Sequence, residues 1–134
     1  MTFVLDASVS IAGVLPDESS QRAAVALSRL TATATVAVVP SLWIYEAASA
    51  LRSAESRGRI TEADSVLALR SLSALPLTSA EPDIRPVAET ARAFGLSVYD
   101  ASYLALSMSR GLPLATLDTR LAAAAVSAGV ALLG

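Results

Sequence analysis

Short apolar runs alternate with longer stretches of helical spacing along this chain. Thr2 to Leu5 is β-branched and aromatic, the signature of a buried strand. Asp6 then opens a helical stretch through Leu15 that Pro16 stops, and Glu18 to Leu30 carries apolar residues at Ala23, Ala24, Leu27 and Leu30, again at helical spacing. Val36 to Val39 reads as a second strand ended by Pro40. Ser41 is placed to cap a helix running to about Arg57 and closed by Gly58. Thr61 and Asp64 have the spacing of a capping box, with Asp in place of the usual Glu, and begin a helix ending near Ala74. A short strand follows at Leu75 to Leu77, then a helix from Asp83 to Phe94 with Pro86 in its first turn and Gly95 as its left-handed stop. Val98 to Arg110 is helical up to Gly111, Leu112 to Thr116 is a strand, Thr119 to Ser127 a helix, and Val130 to Leu133 a terminal strand. Alternation of this kind implies a parallel sheet covered on both faces. The expected class is α/β, a three-layer α/β/α sandwich with a mostly parallel central sheet. No internal repeat, linker or low-complexity tail appears, and residues 1–134 are expected to form one domain burying about 68% of its unfolded surface.

Four acidic residues break this pattern by standing inside apolar runs. They are Asp6 in Phe3-Val4-Leu5-Asp6-Ala7-Ser8, Glu46 in Leu42-Trp43-Ile44-Tyr45-Glu46-Ala47-Ala48, Asp100 in Val98-Tyr99-Asp100-Ala101-Ser102-Tyr103-Leu104, and Asp118 in Leu114-Ala115-Thr116-Leu117-Asp118. The remaining acids lie in polar stretches such as Asp17-Glu18-Ser19-Ser20, where solvation explains them. A half-buried carboxylate without a partner costs several kcal/mol or shifts its pKa upward. A shared positive partner would relieve all four, and a divalent metal ion is the economical choice.

Composition narrows the chemistry further. The chain has no His and no Cys, and all ten basic residues are Arg. Cysteine nucleophiles, Cys/His zinc sites, His general bases, lysine Schiff bases and the Walker lysine are therefore excluded. With 54% hydrophobic and 16% charged residues the chain has ample core and little cause for disorder. The absence of Cys removes any disulfide framework and fits a reducing cytoplasm. Asp6 interrupts the N-terminus before the apolar core of a signal peptide builds. Leu30 to Tyr45, the longest uncharged stretch, is broken by Pro40 and is a poor membrane span. A net charge of −2 exerts no long-range pull on nucleic acid. An RNA partner would need metal ions and a local Arg patch, for which Arg52, Arg57, Arg59 and Arg110 are the candidates; for each of them a solvated helix end is the plainer reading.

In open α/β sheets, ligands gather beyond the carboxyl ends of the strands. Asp6 directly follows the first strand and Asp118 follows the strand at Leu112 to Thr116. Glu46 lies on the helix after the second strand, and Asp100 in the first turn of its own helix. Four distant segments thus deliver oxygen ligands of the kind that Mg²⁺ or Mn²⁺ prefers. Each acid also has a structural reading: Asp6 and Asp118 as helix N-caps, Asp100 as a complement to its helix dipole. Ser8 and Thr116, each two residues from an acid, are placed to orient a carboxylate or a water. Tyr45, Tyr99 and Tyr103 have the spacing of core or interface residues, with base stacking as the functional alternative, and Trp43 is assigned to packing.

These segments resemble the PIN-domain ribonucleases, in particular the VapC-type toxins of bacterial toxin–antitoxin pairs. The resemblance rests on Val4-Leu5-Asp6-Ala7-Ser8, Trp43-Ile44-Tyr45-Glu46-Ala47, Gly95-Leu96-Ser97-Val98-Tyr99-Asp100-Ala101-Ser102-Tyr103-Leu104-Ala105-Leu106 and Leu114-Ala115-Thr116-Leu117-Asp118-Thr119-Arg120-Leu121, which together span the chain. The Tyr-Asp-Ala-Ser-Tyr-Leu-Ala tract is the most specific element. The resemblance implies that Asp6, Glu46, Asp100 and Asp118 form an acidic quartet binding one or two Mg²⁺ or Mn²⁺ ions, with Ser8 and Thr116 as accessory polar positions. It implies metal-assisted hydrolysis of RNA phosphodiester bonds, a homodimer, and a small antitoxin whose C-terminal segment blocks the cleft. Other readings weigh less. Haloacid-dehalogenase-like phosphatases and response-regulator receivers need a Lys that this chain lacks. A PIN-like module that binds RNA or protein without cutting, and a plain α/β domain whose acids are all caps, remain as alternatives.

Overall fold

The computed structural model of the protein describes residues 2–32 and 34–133. Strand β1 (Phe3–Leu5) lies at the heart of a four-stranded parallel sheet of order β3-β2-β1-β4, flanked by β2 (Ala37–Val39) and β4 (Leu114–Ala115), with β3 (Leu77–Ser79) outermost beside β2. Phe3 pairs with Ala37 and Val4 with Val38 on one side, and Val4 with Leu114 and Leu5 with Ala115 on the other. Phe3, Val4 and Leu5 are wholly buried, which explains why β1 is uniformly apolar rather than alternating. Helices α2 (Gln21–Ala32), α3 (Leu42–Ser56) and α4 (Glu62–Ser73) pack around α1 (Ala7–Val14). Helix α6 (Val98–Arg110) packs on β1 and β4 and is flanked by α5 (Ile84–Phe94) and α7 (Thr119–Ser127). The result is the expected three-layer α/β/α arrangement, with every strand pairing parallel.

Local chemistry sets the element ends. Thr61 and Asp64 form a complete capping box, the Asp64 N–H donating to the Thr61 hydroxyl and the Thr61 N–H to the Asp64 carboxylate. Gly95 and Gly111 close α5 and α6 in the left-handed region, each at φ 64°. Helix α6 is buried at every position from Ala101 to Ser107, as a helix of small and apolar residues on all faces must be. Gly13 lets Leu27 of α2 press against α1, since a Cβ at Gly13 would overlap the Leu27 side chain.

Several expectations shift. Helix α2 begins at Gln21 rather than Glu18, because the Ser20 hydroxyl accepts the Ala23 N–H (3.2 Å) and so fixes the start there. Ser41 does not cap α3 with its side chain: its backbone is already in the right-handed helical region (φ −59°, ψ −26°), where the cap geometry fails, and its N–H instead donates to Glu81. The third strand lies two residues later than Leu75 to Leu77, since Pro76 contributes only its carbonyl, to the Ala37 N–H, and pairing starts at Leu77. The fourth strand is only Leu114–Ala115, with Pro113 before it lending a carbonyl to the Val4 N–H. Val130 to Leu133 makes no full strand, only a parallel bridge between Leu132 and Leu114.

Trp43 is buried, as expected of a packing residue, and its indole N–H also donates to the buried Ser10 hydroxyl at 2.9 Å, tying α3 to α1. Trp43→Phe should cost about 1–2 kcal/mol by stripping Ser10 of that donor while keeping most of the apolar contact. Urea unfolding would read this as a lowered midpoint; an unchanged midpoint would mean the bond has no net weight.

Candidate active site

Asp6 ends β1 inside the core, only 6% exposed, and its backbone N–H still pairs with the Ala115 carbonyl of the next strand (3.0 Å). Its Oδ2 accepts two hydroxyl hydrogen bonds, from Ser8 at 2.6 Å and from Thr116 at 2.8 Å. Each hydroxyl in turn accepts a backbone N–H: Leu117 donates to Ser8 Oγ and Asp118 to Thr116 Oγ1, both at 3.0 Å. Both hydroxyl protons are thereby aimed at the carboxylate. Asp6 stands at the N-cap position of α1 but makes no side-chain cap bond to it, its Oδ2 meeting the two hydroxyls instead.

The other acids are held from different elements. Glu46, on the second turn of α3, accepts the Tyr103 hydroxyl proton on Oε1 at 2.7 Å. Asp100 sits in the first turn of α6, where the Ser97 hydroxyl accepts its N–H at 3.1 Å and caps the helix. Asp118 does cap α7, its Oδ1 accepting the Leu121 N–H at 2.9 Å. One open cleft of about 510 Å³ is lined by Asp6, Glu46, Asp100 and Asp118 together with Ser8, and Ile11, Leu15, Ala50 and Leu117 form apolar walls. Thr116 lies beneath, reaching the cleft through Asp6.

Electrostatics follow from that crowding. Burial pushes the Asp6 carboxyl above the usual range, the two hydroxyls pull it back, and Asp118 adds to the rise. Burial also raises Glu46, tempered by Tyr103 and reinforced by Asp6 and Asp100. Asp100 is raised by burial and then by Asp118 and Asp6, with Ser97 and Arg120 opposing. The Tyr103 phenol is pushed far upward by burial and by its bond to Glu46, so it stays a donor.

Among the described residues no three of the acids converge tightly enough to enclose an ion by themselves. The donor set nonetheless suits a hard cation: it is all oxygen, and the second oxygen of Asp6, Glu46 and Asp118 makes no side-chain hydrogen bond among the described residues. Mg²⁺ commonly takes only one or two carboxylates and keeps several waters.

Of the tyrosines, only Tyr103 is a core residue; Tyr45 and Tyr99 are 74% and 62% exposed. Of the four arginines considered, Arg59 alone lines the cleft. Arg52 pairs with Glu55 at 3.6 Å, and Arg110 stands at the opposite end of α6 from Asp100, roughly 15 Å along the helix. The sequence reading missed two residues that act on the acids. Tyr103 falls three residues after Asp100, on the same helix face, but nothing local to α6 names Glu46 as its partner. Arg120, just after Asp118, donates to the Gly95 carbonyl at 2.9 Å and eases the charge of Asp100.

The PIN domain family model matches residues 3–127. Ribonuclease VapC3 of Pyrobaculum aerophilum is 33% identical over 126 residues, which span 91% of this chain and 93% of that protein. The crystal structure of PAE2754 from Pyrobaculum aerophilum superposes with a TM-score of 0.72 at 28% identity, over 92% of this chain and 79% of the other. FitAcB from Neisseria gonorrhoeae superposes with a TM-score of 0.65 over 100% of this chain and 97% of its own, and at 18% identity that likeness speaks for the fold alone. With the family pattern running from β1 through α7, and a relative above 30% identity aligned along nearly its full length, this chain belongs to the PIN-domain family.

Proposed function

We propose that the chain is a single-domain, metal-dependent endoribonuclease of the VapC type, the toxin of a toxin–antitoxin pair. The observation that carries this reading is the convergence of Asp6, Glu46, Asp100 and Asp118 on one cleft at the carboxyl ends of β1 and β4. The ribonuclease name of a relative 33% identical supports it. Mg²⁺ or Mn²⁺, if held among these four carboxylates, no three of which close on an ion by themselves, would supply acidified water and offset charge on the phosphodiester, work that the chain, having no His and no Lys, cannot give to an imidazole or an ammonium. Asp6 is the fixed point of the set, aimed by Ser8 and Thr116. Tyr103 holds Glu46 to face it, Ser97 anchors the turn that presents Asp100, and α7 fixes Asp118 through its cap. Ile11, Leu15, Ala50 and Leu117 line the rest of the cleft with apolar surface, beside which charges interact more strongly than in bulk water.

The same reading includes an RNA substrate, a small antitoxin that occupies the cleft, a homodimer and a cytoplasmic location. No helix among the described residues is long and apolar enough to cross a membrane. Exposed apolar side chains on α4 (Val66, Leu67 and Leu69) and Ile44 on α3 provide surface for protein contacts.

Purified, partner-free protein should cut total cellular RNA into discrete bands with Mg²⁺ or Mn²⁺ and not with EDTA. Asp6→Asn should lower the rate by on the order of a hundredfold or more, since it removes charge at the point where two hydroxyls converge. Cleavage that persists in EDTA or in the variant would overturn the assignment of the site. Folded, metal-loaded protein that cuts none of several RNA pools would point to a binding module instead.

Asp6, Glu46 and Asp100 all have raised values, so the folded state holds their protons more tightly than the unfolded chain does. That contribution to stability is complete below the ordinary carboxyl range, about pH 4, and is lost as pH rises through the raised values. Thermal melts in EDTA should therefore fall increasingly below melts in Mg²⁺ as pH is raised from 4 to 8. At a hundredfold excess over Kd the ion should add about 2.7 kcal/mol. A gap that stays constant with pH would refute the coupling.

Tyr103→Phe keeps the core ring but removes the bond that restrains the Glu46 carboxyl. Glu46 should then rise further, moving the acid limb of the pH–rate profile to higher pH and lowering activity roughly tenfold near the limb. A profile superimposable on wild type would show that the phenol has no part in setting Glu46.

A further inference from the structure

We propose that Arg59 is the positioning residue through which the cleft grips the RNA backbone beside the scissile phosphate. The proposal rests on the nuclease reading and deepens it by naming how the substrate is held. A cleft lined by five carboxylates, the four acids above and Glu18, repels the polyanion it must admit, and the chain as a whole carries a charge of −2. Beside the ions of the nuclease reading, a fixed donor near the acids would hold a neighbouring phosphate in place. Among the ten arginines, Arg59 alone lines that cleft.

Its backbone is pinned on both sides. Gly58 turns the chain with φ 72°, the Arg59 N–H donates to the Ala54 carbonyl at 2.9 Å, Ile60 is buried, and the Thr61–Asp64 box follows at once. Its side chain is pinned as well. Nε donates to Asp17 Oδ2 at 2.9 Å and Nη2 to Asp17 Oδ1 at 3.2 Å, a bidentate fork closed across 42 residues, with Glu18 3.9 Å from Nη2. Nη1 makes no hydrogen bond among the described residues, so its two protons remain available to a phosphate oxygen. A guanidinium can hold one carboxylate by one edge and a phosphate by another, which an ammonium group cannot do with the same geometry.

As a device for stability the fork is weak, because its partners are 41% and 37% exposed and solvent screens them. As a device for placement it fits: the charge is held at the cleft wall before RNA arrives, so little side-chain freedom remains to be lost on binding. With Asp17 and Glu18 both beside it, Arg59 adds no net positive charge locally, so it acts through its free Nη1 protons as a short-range contact rather than a long-range attractor.

The test compares wild type with Arg59→Ala, Arg59→Lys and Arg57→Ala, all with Mg²⁺. Arg57 lies two residues away, is exposed and does not line the cleft. Two readouts are used: KM and kcat on a labelled RNA that wild type cuts, and anisotropy of a labelled random-sequence single-stranded 12-mer over a salt series. Arg59→Ala should raise KM roughly tenfold with kcat within about twofold, and should reduce the slope of log affinity against log salt by about 0.7, one phosphate contact. Arg57→Ala should match wild type in both. If the alanine variant fails to fold, Arg59→Lys carries the test: a raised KM at unchanged kcat supports the fork, and wild-type constants overturn it. Equal losses in the Arg57 and Arg59 variants would reduce the effect to net charge and also overturn it. Wild type that neither cuts nor binds RNA would sink the nuclease reading itself, an outcome distinct from a wild type that cuts and an Arg59 variant that cuts as well.

Discussion

The structure turns on a single carboxylate oxygen. Oδ2 of Asp6 lies where β1 ends in the core, a place in which an ionised group without partners would cost several kcal/mol. Ser8 and Thr116 meet that cost jointly, one from the start of α1 and one from the end of β4. Because each hydroxyl also accepts a backbone N–H from Leu117 or Asp118, neither can turn away from Asp6 without leaving a donor orphaned. The backbone between β4 and α7 is thus threaded onto the first strand by two hydroxyls. Asp118 then arrives at the cleft as a consequence of that threading, already committed to capping α7.

From this point the parallel sheet does the remaining placement. With β1 between β2 and β4, the chain leaves every neighbouring strand at the same edge, and the helices that follow begin there. Glu46 and Asp100 come from the early turns of α3 and α6, and Tyr103 links them, reaching from the fully buried body of α6 to a carboxylate on α3. Trp43 secures α3 from below through Ser10, whose own hydroxyl leans on the Asp6 carbonyl at 3.4 Å. Ser8, Ser10, Trp43 and Thr116 therefore form a connected set around Asp6, with the Tyr103–Glu46 pair standing beside it. Such sets specify one geometry more strongly than isolated bonds do.

Much of this was legible in the sequence, for physical reasons that differ by residue. The four acids stood out because their neighbours are apolar, and a carboxylate there demands a partner wherever the chain goes. Helix ends with self-contained chemistry were equally plain: the Thr61–Asp64 box, and Gly95 and Gly111 as left-handed stops, depend only on residues a few positions apart. Apart from the start of α2, which Ser20 sets locally, what escaped depends on partners far away in sequence. Ser41 has the composition of a cap, yet Glu81, forty residues on, takes its N–H and the backbone sits helically. Leu75 to Leu77 and Val130 to Leu133 have strand-like composition, but how much of each pairs is decided by Pro76 and by the short reach of β4. The Tyr103–Glu46 bond spans 57 residues and the Arg59–Asp17 fork 42, beyond any periodicity argument.

The site is also where the fold departs from its own stability optimum. Burial and mutual repulsion raise Asp6, Glu46 and Asp100 together, so the folded chain is held against an electrostatic preference for fewer charges in that cleft. An amide or apolar replacement at these positions would ease the repulsion, yet the chain keeps four acids while placing a buried apolar sheet and an entirely buried stretch of α6 directly beneath them. A core of that kind tolerates an unfavourable site because its own contribution does not depend on pH or on ions. The local conflict and the global fold are in this sense complementary: sequences usually agree with their structures at every level, and a concentrated disagreement marks the place where something other than folding sets the residues.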